Sequence, residues 1–172
     1  MAPRLRAVYI CTTSSSPSGD RVIDDLYSSK ILGLAANMPH AGRLAAPQAS
    51  SEKTAKLCGS TVNVDLSLDD QGHVSAFAQD VRACALGQAS AAVLGACVMG
   101  ATVDEIETAR DALRAMLKTG APAPSGRFAD LAVLAPVKDY PARHASTLLA
   151  FEAASEAARR ALNERTSPAV AG

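Results

Sequence analysis

The sequence predicts an α+β fold: a small antiparallel β-hairpin sheet with helices packed on one face. Three observations carry this expectation. In STVNVDLSL, Val62, Val64, Leu66 and Leu68 alternate with Asn63, Asp65 and Ser67, the period of a half-buried strand. A turn sequence, DDQG, separates that run from a second extended run, HVSAFAQDV. Apolar residues on either side of this pair recur instead at helical spacing, and strands clustered before helices argue for helices on one side of a sheet.

Taken in order, residues 1–20 are rich in Ser, Pro and Arg without periodicity and read as a disordered extension containing Cys11. A single domain is expected over 21–163, with a tail at 164–172. In VIDDLYSSKILGLAAN, Ile23, Tyr27, Ile31 and Leu34 share one helical face, and Met38-Pro39 stops the helix. Residues 39–56 mix Pro, Gly, Ser and charge and are expected to form a loop. After the hairpin, Leu86, Ala89, Val93, Leu94, Cys97 and Val98 mark a second helix. Thr102 to Glu105 form a capping box that starts a third, with Val103, Ile106, Leu113 and Leu117 inward and Gly120 as its stop. GRFADLAVLAPVKDYPARH is expected as a loop before a last helix at about 145–163, whose stripe is Leu148, Leu149, Ala153, Ala157 and Leu162.

Composition excludes several classes of function. The 172 residues carry 17 basic and 17 acidic side chains, and aromatics make up 3% with no Trp. A neutral, aromatic-poor chain lacks the footprint of a nucleic-acid binder. No run approaches the ~20 apolar residues of a membrane span, and the first twenty residues lack a secretory apolar stretch, so a cytoplasmic location is expected. The motifs of a zinc ribbon or redox dithiol, P-loop, dinucleotide fold and nucleophile elbow are all missing.

Four cysteines are too few for a disulfide scaffold, and their positions differ in kind. Cys84 immediately precedes a helix, where unpaired N–H groups and the helix dipole favour a thiolate. Cys58 precedes Gly59 in a turn that presents a side chain. Cys97 lies on the apolar stripe and reads as a core filler. His40 and His73 read as solvated residues, while His144 sits beside Arg143 at the start of the last helix.

Cys84-Ala85-Leu86-Gly87-Gln88-Ala89-Ser90 after a hairpin, Cys58-Gly59-Ser60 before it, and a closing helix entered through PARHASTLLAF together resemble the U-type iron–sulfur cluster scaffold family. That family includes IscU, SufU and the N-terminal domain of NifU, and the SufU-type stretch is the nearest match. The resemblance spans residues 22–162. It implies a non-enzymatic scaffold or carrier that takes iron and persulfide sulfur from a cysteine desulfurase, builds a transient 2Fe-2S cluster on cysteine thiolates, and passes it to an acceptor protein. Cys58 and Cys84 would be ligands, and one of them the sulfur acceptor.

The chain departs from the family's pattern at two positions. Gly-Asp is expected after the first cysteine, and here Gly59-Ser60 stands there. A third cysteine is expected at the start of the last helix, where the register puts Ser146, with Arg143 matching a basic position just ahead. Two thiolates fall short of the four ligands a 2Fe-2S cluster takes. A homodimer bridging one cluster, a small thiol completing the shell, or a degenerate homologue that only docks on partners all follow as alternatives. So does a zinc site of Cys58, Cys84 and His144, although no carboxylate stands as the general base of a zinc hydrolase.

Overall fold

The computed structural model describes residues 28–167. The expected extension over 1–20, Cys11, and Ile23 and Tyr27 of the first helical face lie outside the described residues.

Helix α1 spans Ser29–Ala36, with the Ser28 hydroxyl accepting from the Ile31 N–H at 3.3 Å as its N-cap. The sheet has three antiparallel strands rather than two, in the order β1 (Ala49–Ala55), β2 (Ser60–Leu68), β3 (Val74–Arg82). Strand β1 corrects the expected loop over 39–56. It does alternate, burying Ala49, Ser51 and Ala55 while Glu52 and Thr54 face water. Its buried residues are small and its exposed ones charged or polar, so a hydropathy pattern does not reveal it. The β2 stripe of Val62, Val64 and Leu66 is fully buried, as the alternation predicts.

The outer edge of β3 is covered by the segment leaving α1. Gln79 N–H donates to the His40 carbonyl and Gly42 N–H to the Gln79 carbonyl, both at 2.9 Å. His40 adopts a positive φ of 56° there, and its ring stands edge-on to Phe77.

Helix α2 (Ala85–Cys97) follows β3, and α3 (Val103–Thr119) follows it. Cys97 closes α2 and is half-buried against the core rather than sitting mid-helix. The capping box of α3 is formed as expected: Thr102 Oγ1 accepts from the Glu105 N–H, and the Glu105 carboxylate from the Thr102 N–H. Gly120 ends α3 in the left-handed conformation.

The segment expected as a loop is instead a 3₁₀ run, Gly126–Asp139, kinked at Phe128. Its buried residues are Phe128, Leu131, Leu134 and Val137, spaced by three, the period of a 3₁₀ helix. The last helix, α4, runs Pro141–Thr166, longer at both ends than expected, and the 164–172 tail therefore begins inside it. Pro141 suits the first turn, where its missing N–H has no partner to lose.

Helix α4 is the element around which the others pack. It contacts β1, β2, α2 and α3, and buries Ala150, Ala153, Ala154, Ala157, Ala158 and Ala161 together with Phe151. Small side chains let the sheet and two helices approach it closely, which is how a chain with three phenylalanines fills a core. Among the described residues no helix is long and apolar enough to cross a membrane.

On the opposite face of the sheet, Asp65 is 1% exposed yet ionised, because its carboxylate is fully engaged. Arg43 donates to both oxygens at 2.7 and 2.9 Å, the Ser50 hydroxyl at 2.6 Å and the Leu44 N–H at 3.1 Å. The Arg43 guanidinium, then Ser50 and Leu44, hold its pKa below the usual carboxylate range. The proton therefore binds the unfolded chain more readily than the folded one. Stability from Asp65 is complete above the ordinary pKa of about 3.9 and is lost as pH falls below it. Asp65→Asn is expected to flatten the decline in urea midpoint between neutral and acidic pH; an unchanged decline would refute the assignment.

Candidate functional site

Three segments far apart in sequence meet at one end of the sheet. The pairing of Ala55 with Ser60 makes residues 56–59 a tight turn between β1 and β2, and that of Thr61 with Arg82 brings the end of β3 beside it. Gly59, at φ +69°, donates its N–H to the Ala55 carbonyl at 2.9 Å to close the turn. This leaves Cys58 exposed at the tip. Cys84 lies two residues beyond Arg82 as the N-cap of α2, half-buried, with no capping bond from its side chain. The first two turns of α4 supply Arg143 and Ser146.

Each sulfur sits beside a serine hydroxyl. Cys58 Sγ is 3.1 Å from Ser60 Oγ, and Cys84 Sγ is 3.6 Å from Ser146 Oγ. Both serines are buried, at 5% and 1% exposure, so their hydroxyls are held in place. Ser146 also donates to the Arg143 carbonyl at 3.1 Å. The Ser60 hydroxyl is the largest influence lowering the pKa of Cys58; the Ser60 backbone N–H and the charge of Arg143 act in the same direction. The thiol can donate to Ser60 Oγ, but once ionised it accepts the hydroxyl proton, and that bond favours the thiolate.

Ser60→Ala removes the hydroxyl while keeping the backbone N–H. The pKa of Cys58 is expected to rise toward the ordinary thiol value. Site-resolved mass spectrometry of alkylation against pH reads this directly, and an unshifted Cys58 profile in the variant would contradict it.

His144 is turned elsewhere. Its Nε2 lies 3.0 Å from the Val137 carbonyl and 3.2 Å from that of Lys138, at the end of the 3₁₀ run. Among the described residues no group of three or more His, Cys, Asp and Glu is arranged to hold a metal ion. The expected three-ligand zinc set of Cys58, Cys84 and His144 is therefore not assembled, because the imidazole that would complete it is engaged with backbone carbonyls.

Gly87 was not singled out from the sequence, and it positions the site. A Cβ there would stand 3.0 Å from the Ser146 carbonyl oxygen and 2.8 Å from the Ala83 Cβ. Only glycine lets the first turns of α2 and α4 come together, and the Cys84–Ser146 contact depends on that approach. Its trace in the sequence is a glycine inside a helix, three residues after the cysteine. Gln79 was missed as well. Fully buried, its amide nitrogen donates to the Pro39 carbonyl at 3.1 Å and the Ala91 carbonyl at 2.9 Å, tying the segment after α1 to β3 and α2.

The fold is thus a three-stranded α+β domain that presents thiols from a hairpin tip and a helix N-cap at one end of its sheet. The NifU-like N terminal domain family matches residues 26–147, and the chain belongs to that family. Among solved structures, it is similar to a nitrogen-fixing NifU-like protein (N-terminal) from Brucella abortus. The identity is 51%, covering 84% of this chain and 99% of the other, with a TM-score of 0.81. It shares its fold with a putative iron–sulfur cluster assembly scaffold protein for the SUF system from Fervidobacterium islandicum AW-1. There the identity is 21%, covering 78% of this chain and 98% of the other, with a TM-score of 0.71. A hypothetical protein at 19% identity, covering 79% and 98%, has a TM-score of 0.67. No curated protein matches the chain.

Proposed function

We propose that this protein is a scaffold or carrier in iron–sulfur cluster assembly, taking sulfur from a cysteine desulfurase and delivering a transient 2Fe-2S cluster to acceptor proteins. The observation that carries this reading is the convergence of Cys58 and Cys84 from separate segments at one end of the sheet. Thiolates are the ligands of such clusters. A site at an exposed turn and a helix mouth can also release what it holds. The cluster is cargo, and the chain acts by binding rather than by turnover.

The two cysteines suit different tasks. Cys58 is exposed and its thiolate is favoured, so it is the sulfur acceptor. Its thiolate attacks the terminal sulfur of the donor's persulfide. A new S–S bond forms on Cys58 while the donor's S–S bond breaks, and the electron pair leaves with the donor's thiolate. Cys84, half-buried beside Ser146, is the ligand that holds iron.

The test combines the protein with a cysteine desulfurase and cysteine without iron, followed by peptide mass spectrometry. A persulfide on Cys58 that forms equally in the Cys84→Ser variant supports the assignment. Sulfur found first on Cys84 would reverse the roles, and sulfur on neither would remove the acceptor function.

A further inference from the structure

We infer that the cleft between α3 and α4 is a binding site for a small polyanion, with Arg110 and Ser155 at its centre. The site is separate from the thiols and goes beyond the scaffold reading.

Elsewhere α4 meets its neighbours largely through alanines. Here a space of about 610 Å³ stays open between α3, α4 and Lys53 of β1, and every residue lining it is charged except Ser155. Two ion pairs span it: Arg114 bonds Glu152 at 3.1 Å, and Arg159 bonds Glu107. Both pairings fit antiparallel helices in one register, which sets Arg110 opposite Ser155 and Glu156, between the two bridges.

That central position lacks an acceptor. Among the described residues Arg110 pairs at 2.9 Å with Asp111, its neighbour on α3, rather than with a carboxylate of α4. Ser155 is the buried member of the lining, 1% exposed, and its hydroxyl has no hydrogen-bond partner among the described residues. A buried hydroxyl left unpaired is costly. An anionic oxygen placed there takes N–H donors from the guanidinium and the O–H of Ser155 together.

Charge calls for a second anionic group. Lys53 and Arg160 share one carboxylate, Glu156, at 2.5 Å each. The lining thus holds five cations and three carboxylates. Asp104 and Asp111 reach the cations from outside it, at 91% and 57% exposure. Exposed pairs of that kind contribute little, so a ligand carboxylate or phosphate exchanges with them at small cost. No aromatic or aliphatic residue lines the cleft, which leaves a nucleobase or hydrocarbon body nothing to pack against. The ligand is therefore a compact molecule with two or more carboxylate or phosphate groups. Ser155 lies nine residues beyond Ser146 on α4, about 14 Å along the helix, so this site and the thiol site fill independently.

The test titrates the full, metal-free chain with citrate and with pyrophosphate by calorimetry at low ionic strength, using acetate and inorganic phosphate as single-group controls. One site per chain is expected, binding at least one of the two polyanions about tenfold or more tighter than either control. Arg110→Gln, folded by circular dichroism, is expected to weaken binding by about tenfold. Ser155→Ala is expected to weaken it severalfold while the urea midpoint of the ligand-free chain stays level or rises, because an unpaired hydroxyl is removed. Glu152→Gln frees Arg114 from its competitor and is expected to tighten binding, which a purely structural ion-pair network would not do. Iron and sulfide loading is expected to be unchanged in all three variants.

No saturable binding of citrate or pyrophosphate, equal binding of the controls, or an Arg110→Gln chain that binds as well as the parent would overturn the proposal. So would tighter binding of hexaglutamate than of either polyanion, which would make the cleft a docking surface for an acidic protein segment. None of these results bears on the thiols, so the scaffold reading stands or falls on its own test.

Discussion

Cys84→Ser is expected to lose iron and sulfide together, with no loss of folding stability. Most ligand substitutions confound binding with stability, and the position of Cys84 separates them. It is the N-cap of α2 and makes no capping bond. Serine is among the preferred N-cap residues, and its oxygen can accept from an N–H of the first turn, a gain of about 0.5–1 kcal/mol. The replacement removes one of the two thiolates while keeping or improving the helix start. Iron and acid-labile sulfide after anaerobic reconstitution are therefore expected to fall to background, with the urea midpoint unchanged or raised. A full complement of iron and sulfide on this variant would refute the scaffold reading at its centre. Cys58→Ser is expected to lose the cluster equally and, in addition, to abolish sulfur transfer from a desulfurase.

The largest expected effect on stability is at Phe151. Its side chain is completely buried in α4, and its ring meets that of Phe128 edge-to-face at 5.4 Å and 85°. Elsewhere the core consists mostly of aliphatic and alanine side chains, so neighbours anchored on short side chains cannot collapse into the space a phenylalanine leaves. Phe151→Ala is expected to cost about 3–5 kcal/mol, at or near the upper end of core truncations. Against the ~5–15 kcal/mol that stabilises a domain, that is a large share. The cost appears as a lower urea midpoint at nearly constant slope. A loss below about 1 kcal/mol would show that the helices close over the cavity. The same substitution also loosens the 3₁₀ run, whose Phe128 would lose its partner ring.

Legibility in the sequence followed the type of side chain that did the work. Strand β2 stood out because its inward positions hold Val and Leu and its outward ones Asn, Asp and Ser. The start of α3 stood out because a capping box is a local device, complete within four residues. Strand β1 did not, since burial there falls on Ala and Ser, and its pairing with β2 rather than its own composition makes it a strand. The 3₁₀ run carried a period of three, which an expectation built on periods of two and 3.6 passes over. Arg43 and Asp65 are 22 residues apart, and nothing local marks them as partners.

The sequence by itself determined the order of most elements, the α+β class, the turns that carry Cys58 and Cys84, and a family resemblance that the match over residues 26–147 bears out. These are properties of short windows, where turn chemistry, caps and alternation act between near neighbours. Only the tertiary structure decided which groups share the site. It placed Ser60 and Ser146 against the two sulfurs, brought the charge of Arg143 to bear on Cys58, and turned His144 toward the 3₁₀ run. Those outcomes depend on α4 lying across β1 and β2 and on Gly87 letting two helix starts touch, contacts between residues as much as 110 positions apart in the chain. Side chains at such distances meet only because burying the alanine-rich face of α4 leaves a single arrangement of the helices on the sheet.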